Sequence, residues 1–154
     1  MGSEMCIRDR SFDKATAFHY VSGGPWQMYR PLSEFLFDDD SGFPPGSFHM
    51  KNVRTNPFES ESYDDFRKLA GGSGAATREQ KLQQITALLA YFPLRQFVLI
   101  GDSGELDPEI FRRVREEHPK QIAEIRIRDI VNARQHAPDR LHDITVIDPD
   151  SSCQ

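Results

Sequence analysis

Four consecutive apolar residues, Phe97-Val-Leu-Ile100, run directly into Gly101-Asp-Ser-Gly104, and Asp107-Pro108 follows. A continuous apolar run this short has the length of a strand buried on both faces, the kind found in parallel sheets. The glycines mark a turn at its end. Asp107 is a helix-capping residue type. Pro108 suits the first helical position, where a missing N–H costs nothing. Strand, tight turn and helix in that order belong to an α/β fold with a parallel sheet.

The rest of the chain continues the alternation. Residues 16–21 (Thr-Ala-Phe-His-Tyr-Val) read as a strand, ended by a turn at Ser22-Gly-Gly-Pro25. Residues 26–37 place Met28, Leu32, Phe35 and Leu36 at helical spacing. Residues 38–76 are rich in Gly, Pro, Ser and acid, and read as an excursion with little regular structure. Residues 77–92 form the clearest helix, with a Thr77/Gln80 capping box, an apolar stripe of Leu82, Ile85, Leu88, Leu89 and Phe92, and Pro93 as its stop. Ile110, Phe111 and Val114 form the apolar face of the helix opened by Asp107. Residues 122–127 read as a third strand and residues 145–147 as a fourth, short one.

Composition removes several classes of function. No apolar run approaches the roughly 20 residues a spanning helix needs. Eleven Phe, four Tyr and one Trp argue against disorder throughout. Nineteen basic against 24 acidic side chains leave a net charge of −5, which argues against a nucleic-acid partner. Cys6 and Cys153 stand at opposite ends and form no framework, so an intracellular, cytoplasmic setting is expected. Met5-Cys-Ile-Arg-Asp-Arg10 is what the transposon end of common sequencing libraries encodes. Residues 1–10 are therefore set aside as foreign, with the domain read over 11–136 and a C-terminal extension over 137–154.

Ligands of open parallel sheets bind beyond the carboxyl ends of the strands. Asp102 sits at such an end, and Asp107 opens the next helix. Two carboxylates so placed can gather Mg²⁺, which takes one or two from a protein and keeps several waters. Turn forming by Asp102 and capping by Asp107 account for the same spacing, and both readings stay open. Ser22, with the flanking amides, suits a phosphoryl oxygen, or is an ordinary turn serine. Lys81 lies in the first turn of its helix and opposes the helix dipole, which suits a lysine facing an anion; a solvated surface lysine is the alternative.

Four other patterns lead nowhere. Gly101-Asp-Ser-Gly104 matches the nucleophile segment of trypsin-like proteases, but the strand pattern is wrong and Glu105-Leu106 breaks the motif. The same segment lacks the third glycine of a dinucleotide-binding loop. The five histidines (19, 49, 118, 136 and 142) lack zinc-site spacing. Arg112, Arg113 and Arg115 read as a solvated helix face.

Taken in order, Phe18-His-Tyr-Val-Ser22, Pro25-Trp26-Gln27, Phe43-Pro-Pro-Gly-Ser-Phe48, Lys81, Phe92-Pro93, Phe97 to Gly104 and Asp107-Pro108-Glu109-Ile110 resemble a known family. It is the catalytic domain of the actin-patch-associated phosphatidate phosphatases, of the haloacid dehalogenase (HAD) superfamily. The resemblance covers roughly residues 12–130. It implies a Rossmann-like, three-layer α/β fold and hydrolysis of phosphatidate to diacylglycerol and phosphate. It further implies that Ser22 binds the transferring phosphoryl group, that Lys81 offsets its charge, and that Asp102 and Asp107 hold Mg²⁺. In that family an aspartate forms an aspartyl-phosphate, and a second aspartate two residues later serves as acid and base.

The chain departs from the pattern at its first motif. An apolar strand ending in Asp-x-Asp-x-Thr belongs ahead of Ser22, and none stands there. Phe35-Leu-Phe-Asp-Asp-Asp-Ser41 imitates it, with Asp38 and Asp40 at the right spacing. It follows Ser22, however, has Gly42 in place of Thr, and extends a helical stripe, so it reads as a loop. The absent strand is central in such a sheet, and a neighbouring strand is expected to keep an unpaired edge. The leading expectation is a phosphatidate phosphatase fragment, inactive alone. The alternatives are a non-catalytic phospholipid- or partner-binding module and a phosphatase of soluble phosphomonoesters. A net charge of −5 gives no long-range attraction to an anionic bilayer, so any peripheral membrane contact is local.

Overall fold

Every strand pairing among the described residues is parallel, in two sheets flanked by helices, as a Rossmann-like α/β chain requires. The structure, a computed structural model, describes residues 16–38, 43–51 and 74–148. It divides into two units, Met1–Lys81 and Leu82–Gln154.

The first unit holds β1 (Phe18–Pro25), a 3₁₀ turn (Trp26–Met28), α1 (Tyr29–Leu36) and β2 (Gly46–Lys51). β1 and β2 pair from Phe18↔Gly46 to Val21↔His49 and again at Pro25↔Lys51. Four steps along β1 therefore match two along β2. This corrects the sequence reading at two places. Ser22-Gly-Gly-Pro25 is not a turn but an irregular continuation of the strand. Part of the excursion over 38–76 is a regular strand, β2; residues 39–42 and 52–73 lie outside the described residues. The helix read over 26–37 starts late, because Pro31 is tolerated only in a first helical turn. Tyr20, Phe37 and Phe48 pack together, with Tyr20 and Phe48 centred 5.3 Å apart, and the Tyr20 hydroxyl donates to the Pro44 carbonyl.

α2 (Gly74–Tyr91) crosses the boundary between the units. It begins before Thr77, so Thr77 lies inside the helix and no capping box forms. Both amide atoms of the Gln80 side chain are buried without a hydrogen-bond partner among the described residues. At its other end, Gln121 Nε2 donates to the carbonyls of Leu89 (3.0 Å) and Phe92 (3.3 Å), groups a helix end leaves unsatisfied.

The second unit continues with β3 (Phe97–Asp102), α3 (Asp107–Glu117), β4 (Ile122–Arg128), α4 (Ala133–His136), a 3₁₀ turn (Pro138–Leu141) and β5 (Thr145–Ile147). The sheet order is β3-β4-β5. Its core joins Leu82, Ile85 and Leu89 of α2, Leu99 of β3, Ile110, Phe111 and Val114 of α3, and Ile122, Ile125 and Ile127 of β4. Leu88 and Phe92, also read into the stripe of α2, are only half-buried. β3 is the exception to the expected burial on both faces. Only Leu99 is buried, because β3 is an edge strand paired with β4 alone among the described residues. Among the described residues β1 likewise pairs with β2 alone. No helix among the described residues is long and apolar enough to cross a membrane.

Candidate functional site

Asp102 is the last residue of β3, and Asp107 the first of α3. The four-residue loop between them doubles back, so Asp107 Oδ2 lies 3.5 Å from the Asp102 amide nitrogen. Asp107 is only 7% exposed. It does not cap its helix. The cap position belongs to Leu106 and makes no side-chain bond, while the Asp107 carboxylate turns back to the strand end. A negative charge in a first helical turn is still favoured by the helix dipole. Asp102 Oδ1 accepts the Gly104 amide at 2.8 Å, which holds the first carboxylate in the turn. The two carboxylates read as a pair are thus brought to one strand end.

The serine of the protease-like pattern does something else. Ser103 is 1% exposed. Its hydroxyl donates to Asp129 Oδ1 at 2.8 Å and accepts the Ile130 and Val131 amides at 3.0 and 3.3 Å. It ties the loop after β3 to the loop after β4. Asp129, 5% exposed, also accepts the Ala133 amide (2.8 Å) and the Arg134 amide (3.0 Å). Burial pushes its carboxyl up. The Arg134 and Ala133 amides and the Ser103 hydroxyl outweigh that and hold it below the ordinary carboxylate value.

A second tie reaches the same loop from the C-terminal segment. Arg140 donates to the carbonyls of Ser103 (3.1 Å) and Glu105 (2.7 Å), and grips both carboxylate oxygens of Glu109 on α3. Burial pushes Glu109 up, but the Arg140 hydrogen bonds and charge bring it below its ordinary value. The arginines of α3 are correspondingly not all solvated. Arg112 donates to the carbonyls of Asp139 and Arg140, and Arg115 to that of Asp143; only Arg113 stays on the surface, paired with Glu117.

Ser22 and Lys81 belong to the first unit. Ser22 Oγ accepts the Gly24 amide at 3.1 Å within the irregular part of β1. Beside it, Gly23 has no room for a side chain: a Cβ there would meet Thr77 Cγ2 at 2.8 Å. Thr77 and Lys81 are one turn apart on the same face of α2. Lys81 is 9% exposed, so it is not the solvated surface lysine of the alternative reading. Asp38, of the Asp-x-Asp imitation, is exposed just past α1 and follows a helix; Asp40 lies outside the described residues.

Sequence reasoning missed three groups. Asp129 stands at the carboxyl end of an apolar strand run, as Asp102 does, and the same rule finds it. Arg140 and Glu109 carry no local signal, because they meet across 31 residues. His19 and His49 flank the Ser47 hydroxyl at 2.6 and 2.9 Å, which only the β1–β2 register brings about. No cluster of three or more His, Cys, Asp or Glu suited to a metal occurs among the described residues.

The chain is α/β with parallel strands, and two carboxylates stand at the carboxyl end of β3, the side on which ligands of such sheets bind. It belongs to the family described as phosphatidate phosphatase APP1, catalytic domain, whose model matches residues 5–129. It is 31% identical over 121 residues to phosphatidate phosphatase APP1 of Saccharomyces cerevisiae, covering 79% of this chain and 18% of that protein. It is 30% identical over 116 residues to the uncharacterized protein C29B5.04c of Schizosaccharomyces pombe, covering 74% of this chain and 16% of that one. The chain thus spans less than a fifth of either relative. No solved structure matches it.

Proposed function

We propose that this chain is the metal- and phosphate-binding part of a Mg²⁺-dependent phosphatidate phosphatase of HAD type. The observation that carries the reading is the pairing of Asp102 with Asp107 at the end of β3, inside the family-matched segment. The donor set fits the ion: two hard carboxylates are what Mg²⁺ commonly takes from a protein. Bound there, the ion would neutralise and orient phosphoryl oxygens. In the first unit, Ser22 and Lys81 are, on the family resemblance alone, the candidates for binding a phosphoryl group. In phosphoryl transfer such positioning and charge stabilisation supply most of the catalysis.

The substrate in this reading is phosphatidate, met at a bilayer from the cytoplasmic side. Exposed Trp26, Met28, Tyr29 and Phe35 support a local membrane contact, since such side chains favour the bilayer interface. The same reading expects no turnover from this chain alone, because no Asp-x-Asp-x-Thr stands ahead of Ser22.

The test is a Mn²⁺ titration of the 154-residue chain followed by electron paramagnetic resonance, beside phosphate release from phosphatidate vesicles with Mg²⁺. Expected are Mn²⁺ binding that Asp102→Asn and Asp107→Asn each abolish, and no release. Absent binding, or binding indifferent to both variants, removes the metal role. Mg²⁺-dependent release that Asp38→Asn abolishes reverses the reading of residues 35–42 as a loop.

A further inference from the structure

We infer that Arg140 is a positioning residue that sets the separation of the Asp102 and Asp107 carboxylates. It lies beyond the family-matched residues 5–129, in the segment that reads from the sequence as a mere extension. As a statement about a metal site, the inference rests on the reading of Asp102 and Asp107 given above.

The argument is geometric. The loop between the two aspartates has four residues, and Arg140 binds the carbonyls of the first and third, Ser103 and Glu105. The same guanidinium is held by both oxygens of Glu109, two residues into α3 from Asp107. One planar group therefore spans the loop after Asp102 and the helix that starts with Asp107. The fork of donors on a guanidinium makes this possible, and an ammonium has no equivalent. Arg140 is itself anchored. Arg112 of α3 donates to the carbonyls of Asp139 (3.0 Å) and Arg140 (2.7 Å), which pins the 3₁₀ turn against the helix. The Ser103–Asp129 bond fixes the loop from its other side. Partners of this outer kind typically govern metal affinity by about 10- to 100-fold.

The sign of the effect separates positioning from charge. Arg140 is a cation close to a proposed cation site. If it acted only through its charge, removing it would tighten Mn²⁺ binding. Positioning requires the opposite.

The experiment uses the whole chain as wild type, Arg140→Ala, Arg140→Lys and Asp102→Asn, with two readouts. Mn²⁺ affinity is expected to fall about tenfold or more in Arg140→Ala. It is expected to fall nearly as far in Arg140→Lys, which keeps the charge and loses the fork. Amide hydrogen exchange without metal is expected to speed up about tenfold at Gly104, whose amide bonds to Asp102, while Ile125 and Ile127 in β4 keep their rates. Unchanged exchange at Gly104 overturns the inference whatever the metal does. Unchanged or tighter Mn²⁺ binding in Arg140→Ala, with wild-type binding that Asp102→Asn abolishes, overturns it as well. Wild type that binds no Mn²⁺ sinks the metal reading alone, and the exchange rates still decide whether Arg140 holds the two aspartates in place.

Discussion

Gly101 has no room for a side chain because Asp107 occupies the space: a Cβ there would lie 2.6 Å from Asp107 Oδ2 and 2.8 Å from Phe111 Cε2. The glycine of the strand end and the carboxylate of the helix start are thus one structural unit. Gly101→Ala is expected to push Asp107 off the strand end, to cost about 1–3 kcal/mol of stability, and to weaken Mn²⁺ binding. Urea unfolding and an Mn²⁺ titration of the same variant check both. A variant as stable as wild type with full Mn²⁺ affinity would show that the close approach is unimportant.

The Ser103–Asp129 bond makes a prediction in pH. Asp129 is held below the ordinary carboxylate value, so its ionised form stabilises the fold. That contribution is fully present above the unfolded carboxyl value near 4, and is lost as pH falls through the lower folded value. Ser103→Ala removes a donor to the carboxylate and the acceptor of two backbone amides. It is expected to cost about 1–3 kcal/mol at pH 7, and less once the pH drops well below about 4. Urea midpoints across that range test it, and a gap that widens in acid contradicts the assignment.

Lys81 and Ser22 are expected to act on a phosphoryl group. Lys81→Gln and Ser22→Ala should each weaken binding of inorganic phosphate by about tenfold, the scale of one hydrogen bond to a charged group. Phosphorus NMR titration reads this directly. Two variants with wild-type affinity would take both residues out of the phosphoryl role.

Trp26 stacks on Tyr29 with ring centres 4.8 Å apart, and both are exposed. If this pair meets the bilayer, Trp26→Ala is expected to reduce binding to vesicles containing phosphatidate by several-fold, with little change in stability, since truncating an exposed side chain usually moves stability by about 0.5 kcal/mol or less. Sedimentation with vesicles measures it, and equal sedimentation of the variant ends the proposal for this face.

The second unit was more legible in the sequence than the first. β3, β4 and β5 stand where short apolar runs place them, while α3 starts one residue earlier than the Asp-Pro pair suggests, with Leu106 at the cap. Ser22-Gly-Gly-Pro25 misled because glycine and proline signal a turn, and the chain used them for a strand irregularity. β2 was hidden in a segment of turn-forming composition; its strand character comes from pairing with β1 across 28 residues. Thr77 and Gln80 fit a capping box by residue type, yet α2 extends a turn further back.

The sequence by itself determined the strands of the second unit and that a carboxylate stands on either side of the turn after β3, since both depend on residues close along the chain. Only the tertiary structure decided what that turn is fastened to. Ser103 meets Asp129 across 26 residues, and Arg140 meets Ser103 across 37. No local pattern encodes such pairs. They form because parallel pairing of β3 with β4, and the return of the chain along α3, bring together buried polar groups that must find partners once water is excluded.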